Sequence, residues 1–329
     1  MKQIRTVGNL VKVSDDDIWD EHVGLSLESN PFLTSRFLRS IGQENSRFAL
    51  FESQEFIAGA CIFNYRGGNF EAAHSFCIYQ GLFFPNSSKK SYSEENLRLK
   101  KAQRMIASID SLERPIRLSM HFNINDLRGI DWFYFQNNQS SLQAKTKVKY
   151  TGVIQLQEYG NFEEYLSTIR RERLKEFLRS SESDARIEIE SKDIESFMVL
   201  YQKTFARQGL VNSKDNLNRV FRIIQDGINQ SYGNLLMLYS SFGEPISGVF
   251  ILSDNRTDTY LFGANDTKYR NIHGSTRLLV EAVRKSYSDK KELFDFCGMN
   301  SPQRGEFKSS FNALLTPYFE VDLDVRKES

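Results

Sequence analysis

The spacing of apolar residues predicts alternating helices and strands along the first 145 residues. Helical spacing covers 15–26 and 32–41, and strand-like runs at 47–51 and 57–63 flank a polar turn, as in a hairpin. The other elements predicted here are a third apolar run at 70–76, a helix at 94–110, a strand at 116–121 and an aromatic run at 132–135.

A second series of elements follows a polar–apolar alternation at 145–156, which predicts a strand that joins two halves. The predicted helices of the second half lie at 161–181, 194–207, 216–229, 274–288 and 304–312. Its predicted strands lie at 187–189, 235–239, 246–252, 259–262, 293–296 and 318–325.

The two halves repeat one order of elements. In each half, helices precede a hairpin whose second strand begins Ile-x-Gly, at Ile57 and at Ile246, and a third strand follows. Duplication explains this agreement better than chance does. We therefore predict an α/β (α+β) fold of two similar domains, residues 1–145 and 146–329, each with a mixed central sheet flanked by helices.

Charge and hydropathy narrow the class of protein. The 43 Lys and Arg nearly balance the 42 Asp and Glu, so a surface that coats DNA or another polyanion is not expected. With 40% hydrophobic residues the chain is globular, and no stretch approaches the ~20 apolar residues of a membrane span. Because the first residues also lack the pattern of a signal peptide, we expect a cytoplasmic protein without a membrane span.

Few residues are available for metal binding or covalent catalysis. Three cysteines and four histidines are scattered without CxxC or HExxH spacing, so we expect neither a metal site nor a disulfide scaffold. The chemistry is therefore expected to depend on positioning and electrostatics.

A chain of motifs in the second half resembles one known group. Phe294-Asp295-Phe296 leads through Gly298 and Pro302 to Phe307-Lys308, and Pro317-Tyr318 enters the last strand. The other matching segments are 149–151, 170–175, 204–209, 260–265 and 269–274. In this order they resemble the tandem-GNAT proteins related to the Fem (FemABX-like) aminoacyl and peptidyl transferases.

The resemblance implies two tandem GNAT-like domains and a transfer reaction. An activated acyl group would pass from acyl-CoA or aminoacyl-tRNA to an amino group of a cell-envelope or polysaccharide precursor, without a covalent enzyme intermediate. Phe307 and Lys308 would lie beside the acyl donor, and Lys308 would stabilise the developing oxyanion or the leaving group.

The residues themselves agree with a ligand crevice at this place. Asp295 would stand at the carboxyl end of a strand, and Arg304 and Lys308, four residues apart, would point the same way from the start of a helix. We predict Lys308 and Asp295 as catalytic, and Phe307 and Arg304 as donor-binding. Without the resemblance, a solvated Lys308 and a core Phe307 would be the simpler interpretation.

The turn before the helix at 274–288 is the second candidate. In the GNAT register of the phosphate-binding turn, Asn271, Gly274 and Thr276 occupy the three conserved positions, and the first and third depart from the pattern. We predict Asn271, Gly274, Ser275 and Thr276 as donor-binding and His273 as a proton acceptor. The alternative is a capped helix without a ligand.

A basic helix is the third candidate. Arg171, Lys175 and Arg179 are each four residues from the next and share one helical face, so we predict an acceptor-binding patch. A solvated, salt-bridged helix explains the pattern equally well. An RNA acceptor stem would also fit this face, although no long heptad segment supports docking of a tRNA.

Two further classes of function remain as alternatives. The degenerate turn at Asn271, Gly274 and Thr276 fits a non-catalytic binding protein that kept the tandem fold and lost its donor site. A nucleic-acid-binding module is the weakest alternative, because the net charge is only +1.

Overall fold

A computed structural model describes residues 10–42, 44–63, 76–87, 91–112, 115–137, 142–207, 209 and 211–325. The chain divides into two compact units. The first comprises residues 1–39, 43–149 and 317–329, and the second comprises 40–42 and 150–316. The apolar run predicted at 70–76 lies, except for Phe76, outside the described residues.

The first unit contains a four-stranded sheet and a second group of strands. The sheet has the order β1 (Leu10–Lys12), β2 (Asn45–Glu52), β3 (Glu55–Phe63) and β4 (Leu82–Phe83). Elsewhere in this unit β5 (Ile116–Ser119) pairs with β12 (Leu314–Val325), whose other neighbour is β6 (Leu142–Gln155). The β1–β2, β2–β3, β3–β4 and β5–β12 pairings are antiparallel, so the predicted hairpin at 47–63 is confirmed.

Two of the four described helices of the first unit begin at polar caps. The four helices are α1 (Asp16–Gly24), α2 (Ser35–Ser40), α3 (Tyr92–Asp110) and α4 (Arg128–Gln136). Asp15 starts α1 by accepting hydrogen bonds from the backbone N–H of Asp17 and Ile18 at 3.0 Å, and Ser91 accepts one from Glu94 at the start of α3. Such caps satisfy N–H groups that have no partner inside the helix.

The second unit is built on a mixed sheet. Its strand order is β6, β11 (Leu293–Asp295), β10 (Thr257–Asn265), β9 (Pro245–Ser253), β8 (Gly233–Tyr239) and β7 (Arg186–Glu188). The β10–β11 pair is parallel, whereas β6–β11, β9–β10, β8–β9 and β7–β8 are antiparallel. The helices are α5 (Phe162–Thr168), α6 (Arg171–Ser181), α7 (Ile194–Arg207), α8 (Lys214–Asn229), α9 (Gly274–Ser288) and α10 (Pro302–Ser309). These sheets and helices confirm the predicted α/β class.

Helix α9 packs its apolar stripe against the sheet of the second unit. Leu278, Leu279 and Val283 are fully buried in one core with Leu238 and Val249. Each buried aliphatic side chain of this kind stabilises the fold by about 1.5–3 kcal/mol.

Strands β10 and β11 separate shortly after they pair. Their parallel register covers only Thr257–Thr259 and Leu293–Asp295, and β10 then continues for six residues with a register shift between Tyr260 and Phe262. The chain after β11 instead follows β6, because the Phe296 N–H donates to the Gly152 carbonyl at 2.9 Å. We call the place where residues 260–265 are no longer paired with residues 296–299 the wedge.

Two predicted helices differ from the structure in detail, and the aromatic run, which had no predicted element type, is helical. The helix predicted at 161–181 is divided into α5 and α6, because the backbone leaves the helix at Ile169 and the Arg170 N–H donates to the Ser310 carbonyl at 2.9 Å. The segment 32–41 begins as a 3₁₀ turn (Pro31–Leu33) before α2. The aromatic run 132–135 lies in α4, where Ile130 and Tyr134 are buried.

The limits of the two units differ from the predicted domains, which met between residues 145 and 146. Residues from 317 onward lie in the first unit, because Glu320–Leu323 pair with Ile116–Ser119 of β5. Both β6 and β12 therefore pass from one unit into the other.

None of the described helices combines the length and the apolar character of a membrane span.

Candidate functional site

Lys308 lies on α10 at the wedge of the second unit. Its side chain is half-buried, and Nζ donates hydrogen bonds to the Cys297 carbonyl at 2.8 Å and the Gly298 carbonyl at 3.1 Å. The same ammonium is 5.4 Å from the centre of the Tyr260 ring on β10. Because an ammonium has three N–H groups, these two carbonyls leave one N–H for a further acceptor.

The surroundings of Lys308 change its proton affinity. Burial lowers the pKa of Lys308 from 10.5 to about 8, and the positive charge of Arg304 also lowers it. Cys297 and Asp295 have the opposite effect and raise this pKa. Burial also raises the pKa of Tyr260 to about 12, so its hydroxyl stays protonated near neutral pH. Lys308 therefore carries a positive charge near pH 7 and loses this charge as the pH rises through about 8.

Asp295 fixes the turn that holds Lys308. It is 1% exposed, and its Oδ1 accepts hydrogen bonds from the Thr151 hydroxyl at 2.5 Å and the Cys297 N–H at 2.8 Å. Cys297 has a left-handed backbone (φ 54°), which is unfavourable for a residue with a side chain. The carboxylate thus keeps the Cys297 and Gly298 carbonyls where Lys308 needs them.

A cleft of about 1100 Å³ adjoins α10. Its lining residues are Arg207, Asn265, Thr267, Arg270, Ser301, Pro302, Gln303, Arg304 and Phe307. Arg207, Arg270 and Arg304 are exposed, and none of them forms an ion pair within the described ranges. We call this feature the three-arginine cleft; guanidinium groups without acidic partners are suited to phosphate or carboxylate groups.

The sequence located one of the three arginines. Arg304 was predicted as donor-binding, and Phe307 lines the same cleft. Arg207 and Arg270 were missed, because they lie at the end of α7 and in the 3₁₀ turn Thr267–Ile272, far apart in the chain. Their common position in the cleft depends on the tertiary fold, which no local sequence pattern signals.

The start of α9 already holds a carboxylate from the protein. Thr276 is 2% exposed, and its hydroxyl donates to Glu176 Oε2 on α6 at 2.7 Å. His273 Nδ1 lies 3.6 Å from Glu176 Oε1, and Arg173 forms an ion pair with the same carboxylate. The helix dipole favours a negative charge here, so Glu176 takes the position that an anionic ligand would take.

The other residues of this turn serve packing or lie in solvent. A Cβ at Gly274 would be 2.9 Å from the Ser247 Cβ and 3.0 Å from Leu238 Cδ2, so the glycine allows α9 to approach the sheet. The hydroxyl of Ser275 lies 3.2 Å from that of Ser247, and Asn271 is exposed. Glu176 thus places a negative charge where a pyrophosphate would bind, and donor binding by Asn271, Gly274, Ser275 and Thr276 stays a prediction.

Arg173 links the start of α9 to α10. Its guanidinium lies 5.0 Å from the Phe307 ring centre, and Nε donates to the Ser310 hydroxyl at 3.0 Å. Arg173 therefore connects Glu176 with Phe307, the neighbour of Lys308. The sequence indicated a basic helix here but assigned no role to Arg173 or Glu176.

The predicted acceptor patch lies on the outer face of α6. Arg171, Lys175 and Arg179 are exposed, and in the described part of the chain none of the three has an ion-pair partner. The face is therefore solvated, as the alternative interpretation expects, although these three cations are not salt-bridged. Its role in binding stays a prediction.

The second unit matches a known protein family, and nearly the whole chain is similar to solved structures. Residues 166–309 match the family model of an acetyltransferase (GNAT) domain. No curated protein matches the sequence. Among solved structures, FemX is similar with a TM-score of 0.69 at 10% identity, covering 94% of this chain and 96% of that chain.

Two further solved structures are similar over nearly their whole length. A tandem GNAT protein from the clavulanic acid biosynthesis pathway has a TM-score of 0.53 at 6% identity, covering 98% of this chain and 99% of its own. L-PGS from Bacillus licheniformis has a TM-score of 0.53 at 9% identity, covering 99% of this chain and 95% of its own.

Proposed function

The chain has the tandem GNAT, Fem-like fold that its motifs implied, and from this premise we propose that it is an acyl- or aminoacyltransferase. In the proposed reaction, the nitrogen of an acceptor amine attacks the carbonyl carbon of an activated acyl ester or thioester. A C–N bond forms, the alkoxide or thiolate leaves, and the amine proton passes to the leaving group or to water.

The observation that carries this proposal is the position of Lys308. Two carbonyls fix the ammonium at the wedge, and one N–H is left for an oxygen of the substrate. A fixed positive charge in a partly dry site stabilises the oxyanion that forms as the amine attacks. Asp295 supports this step by holding the Cys297 turn, and thus acts on the reaction through Lys308.

The three-arginine cleft supports a donor that carries phosphate groups. Acyl-CoA and aminoacyl-tRNA both carry several phosphates, and the cleft offers three guanidinium groups beside Phe307. Because Glu176 occupies the start of α9, we propose that donor phosphates bind in this cleft and not at the helix. An aminoacyl ester of tRNA meets this requirement more simply than CoA bound in the usual GNAT manner.

For the acceptor, we propose an amino group on a cell-envelope or polysaccharide precursor. The exposed face of Arg171, Lys175 and Arg179 supports an acceptor with anionic groups, since these cations have no ion-pair partners among the described residues. The acceptor nitrogen must reach the wedge unprotonated, because only the free amine is a nucleophile.

A second candidate function is that of a non-catalytic binding protein. Glu176 favours it, because a carboxylate at the start of α9 removes the usual phosphate site of a GNAT domain. The three-arginine cleft would then bind an anionic ligand without a reaction following.

A donor panel with a small amine distinguishes the two candidates without knowledge of the acceptor. The full chain is incubated with aminoacyl-tRNA or acyl-CoA and hydroxylamine, which traps an acyl group as its hydroxamate. We expect hydroxamate to form from at least one donor faster than in the protein-free blank. Donor binding measured by calorimetry without any hydroxamate would favour the binding protein, and neither binding nor transfer would contradict the proposed reaction.

A further inference from the structure

A cavity of about 450 Å³ lies wholly within the first unit. It is formed by the end of β4, the first half of α3, the connection that follows β5 and the start of α4. The lining residues are Leu82, Phe84, Glu95, Arg98, Leu99, Ala102, Asn123, Ile124, Asn125, Asp126, Leu127, Arg128, Ile130 and Asp131. Its volume falls in the range of small-molecule sites.

The floor of the cavity is apolar. Leu82, Phe84, Leu99, Ile124 and Ile130 line it and are each less than 7% exposed. Leu82, Phe84, Ile124 and Ile130 also belong to the hydrophobic core of the unit, so the floor is fixed by the fold. An aliphatic group of a ligand would be removed from water here.

One wall carries a buried ion pair. Arg98 donates from Nη2 to Glu28 Oε1 at 2.5 Å and from Nη1 to the Ser87 hydroxyl at 3.0 Å, and its guanidinium lies 4.9 Å from the Phe84 ring centre. Glu28 is fully buried and also accepts the Phe84 N–H at 3.1 Å. The charge of Arg98 is therefore matched within the wall and does not call for an anionic ligand.

The mouth of the cavity is acidic. Arg128 is matched by Asp126, to which it donates two side-chain hydrogen bonds at 2.9 and 2.7 Å. Glu95 and Asp131 are exposed at the rim, and neither has an ion-pair partner in the ranges that the structure describes. The Glu28–Arg98 and Asp126–Arg128 pairs are each neutral. The carboxylates of Glu95 and Asp131 therefore give the mouth of the cavity two negative charges that are not balanced within it.

We infer that this cavity is a binding site for a cationic amphiphile, a ligand with a primary ammonium group on an aliphatic body. The body would occupy the floor at Leu82, Leu99 and Ile124, and the ammonium would lie at the mouth between Glu95 and Asp131. This inference does not depend on the transfer reaction, because every residue that it uses lies in the first unit.

A series of straight-chain probes tests the site on the full chain by calorimetry. Butylamine, pentylamine and hexylamine are compared with hexanol and hexanoate. We expect affinity to rise about fourfold for each added methylene until the cavity is full. Hexanoate should bind at least about tenfold more weakly than hexylamine, because its charge is repelled at the mouth. The fluorescence of Trp132 should change on binding, since its ring lies 5.5 Å from the Arg128 guanidinium.

The double variant Glu95→Gln and Asp131→Asn tests whether the two carboxylates at the mouth of the cavity bind the ammonium group. Both side chains are exposed, so the fold should be unchanged, and the Kd of hexylamine should rise about three- to tenfold while that of hexanol stays the same. The matched control Glu163→Gln and Asp215→Asn, two exposed carboxylates of the second unit, should leave both unchanged. Absent binding of hexylamine, equal binding of hexylamine and hexanoate, or an unaltered double variant would each overturn the inference.

Discussion

At the scale of single residues, the proposed transfer reaction depends on the charge of Lys308. The residue must be protonated to stabilise an oxyanion, and its pKa is lowered to about 8. A lowered pKa means that the positive charge is lost near pH 8, where an exposed lysine would keep it to about pH 10.4.

We therefore predict that kcat/KM for transfer falls as pH rises through about 8. The measurement is a pH–rate profile with an acceptor amine that stays unprotonated across the range, so that only the enzyme titrates. In Lys308→Arg, which stays charged, the fall should move to higher pH even if the rate is lower. The same alkaline fall in wild type and Lys308→Arg would assign the titration to another group.

The spacing of Lys308 and Arg304 shows what the sequence could predict of the site. Four-residue spacing placed both cations on one side of a helix, and Arg304 is indeed close enough to lower the pKa of Lys308. The carbonyls of Cys297 and Gly298 could not be predicted as partners of Nζ, because they depend on the left-handed turn that Asp295 fixes. Glu176 was missed for a similar reason, since two of its partners, Thr276 and His273, lie about 100 residues later at the start of α9.

At the scale of elements, the close contact of α9 with the sheet explains Gly274. A Cβ at this position would meet Ser247 and Leu238 at 3.0 Å or less, in a buried interface that cannot shift freely. We predict that Gly274→Ala lowers the free energy of unfolding by about 1–3 kcal/mol. The measurement is urea denaturation.

The control for this prediction is Gly24→Ala at the end of α1, where a Cβ meets nothing within 4 Å. Its free energy of unfolding should be unchanged or slightly higher. A Gly274→Ala variant as stable as wild type would show that α9 does not approach the sheet as closely as described.

The three-arginine cleft is assembled from the end of α7, the turn before α9 and the start of α10. We predict that Arg270→Ala raises the KM for the donor by about tenfold and leaves the fold unchanged, because an exposed guanidinium that binds phosphate is removed. Steady-state kinetics at two salt concentrations give the measurement, and the salt dependence should weaken in the variant.

Arg186→Ala is the matched control, since this exposed arginine lies on β7 and pairs with Glu188. Its KM should equal that of wild type. An unchanged KM in Arg270→Ala would remove the cleft from the donor site.

Most helices and strands could be predicted from the spacing of apolar residues alone. The exceptions depend on contacts with residues far away in the sequence. The helix at 274–288 was predicted with the bounds that the structure gives to α9. The break between α5 and α6 could not be predicted, because no glycine or proline marks Ile169 and Arg170. It depends on the hydrogen bond from Arg170 to the Ser310 carbonyl, 140 residues later in the chain.

At the scale of the whole molecule, the order of motifs carried more information than composition. The net charge of +1 indicates that positive and negative residues are nearly equal in number. It does not show that three arginines without ion-pair partners in the described chain line one cleft. The tandem fold was implied by the succession from Asp295 to Lys308 and by the Ile-x-Gly hairpins, and the comparisons confirm it. The strand at 145–156 that joins the two halves was predicted and corresponds to β6, but the return of β12 to the first unit was not, because its pairing with β5 is not encoded locally.

The central claim is that Lys308 stabilises the transition state of acyl transfer in this tandem GNAT fold. The most direct test is the single-turnover rate constant of hydroxamate formation from the active donor, in Lys308→Ala and in the control Lys192→Ala, an exposed lysine outside the site. Loss of one oxyanion donor predicts a rate constant lower by about 10²–10³-fold in Lys308→Ala, with the wild-type value in Lys192→Ala. A folded Lys308→Ala protein that transfers at the wild-type rate would contradict the account.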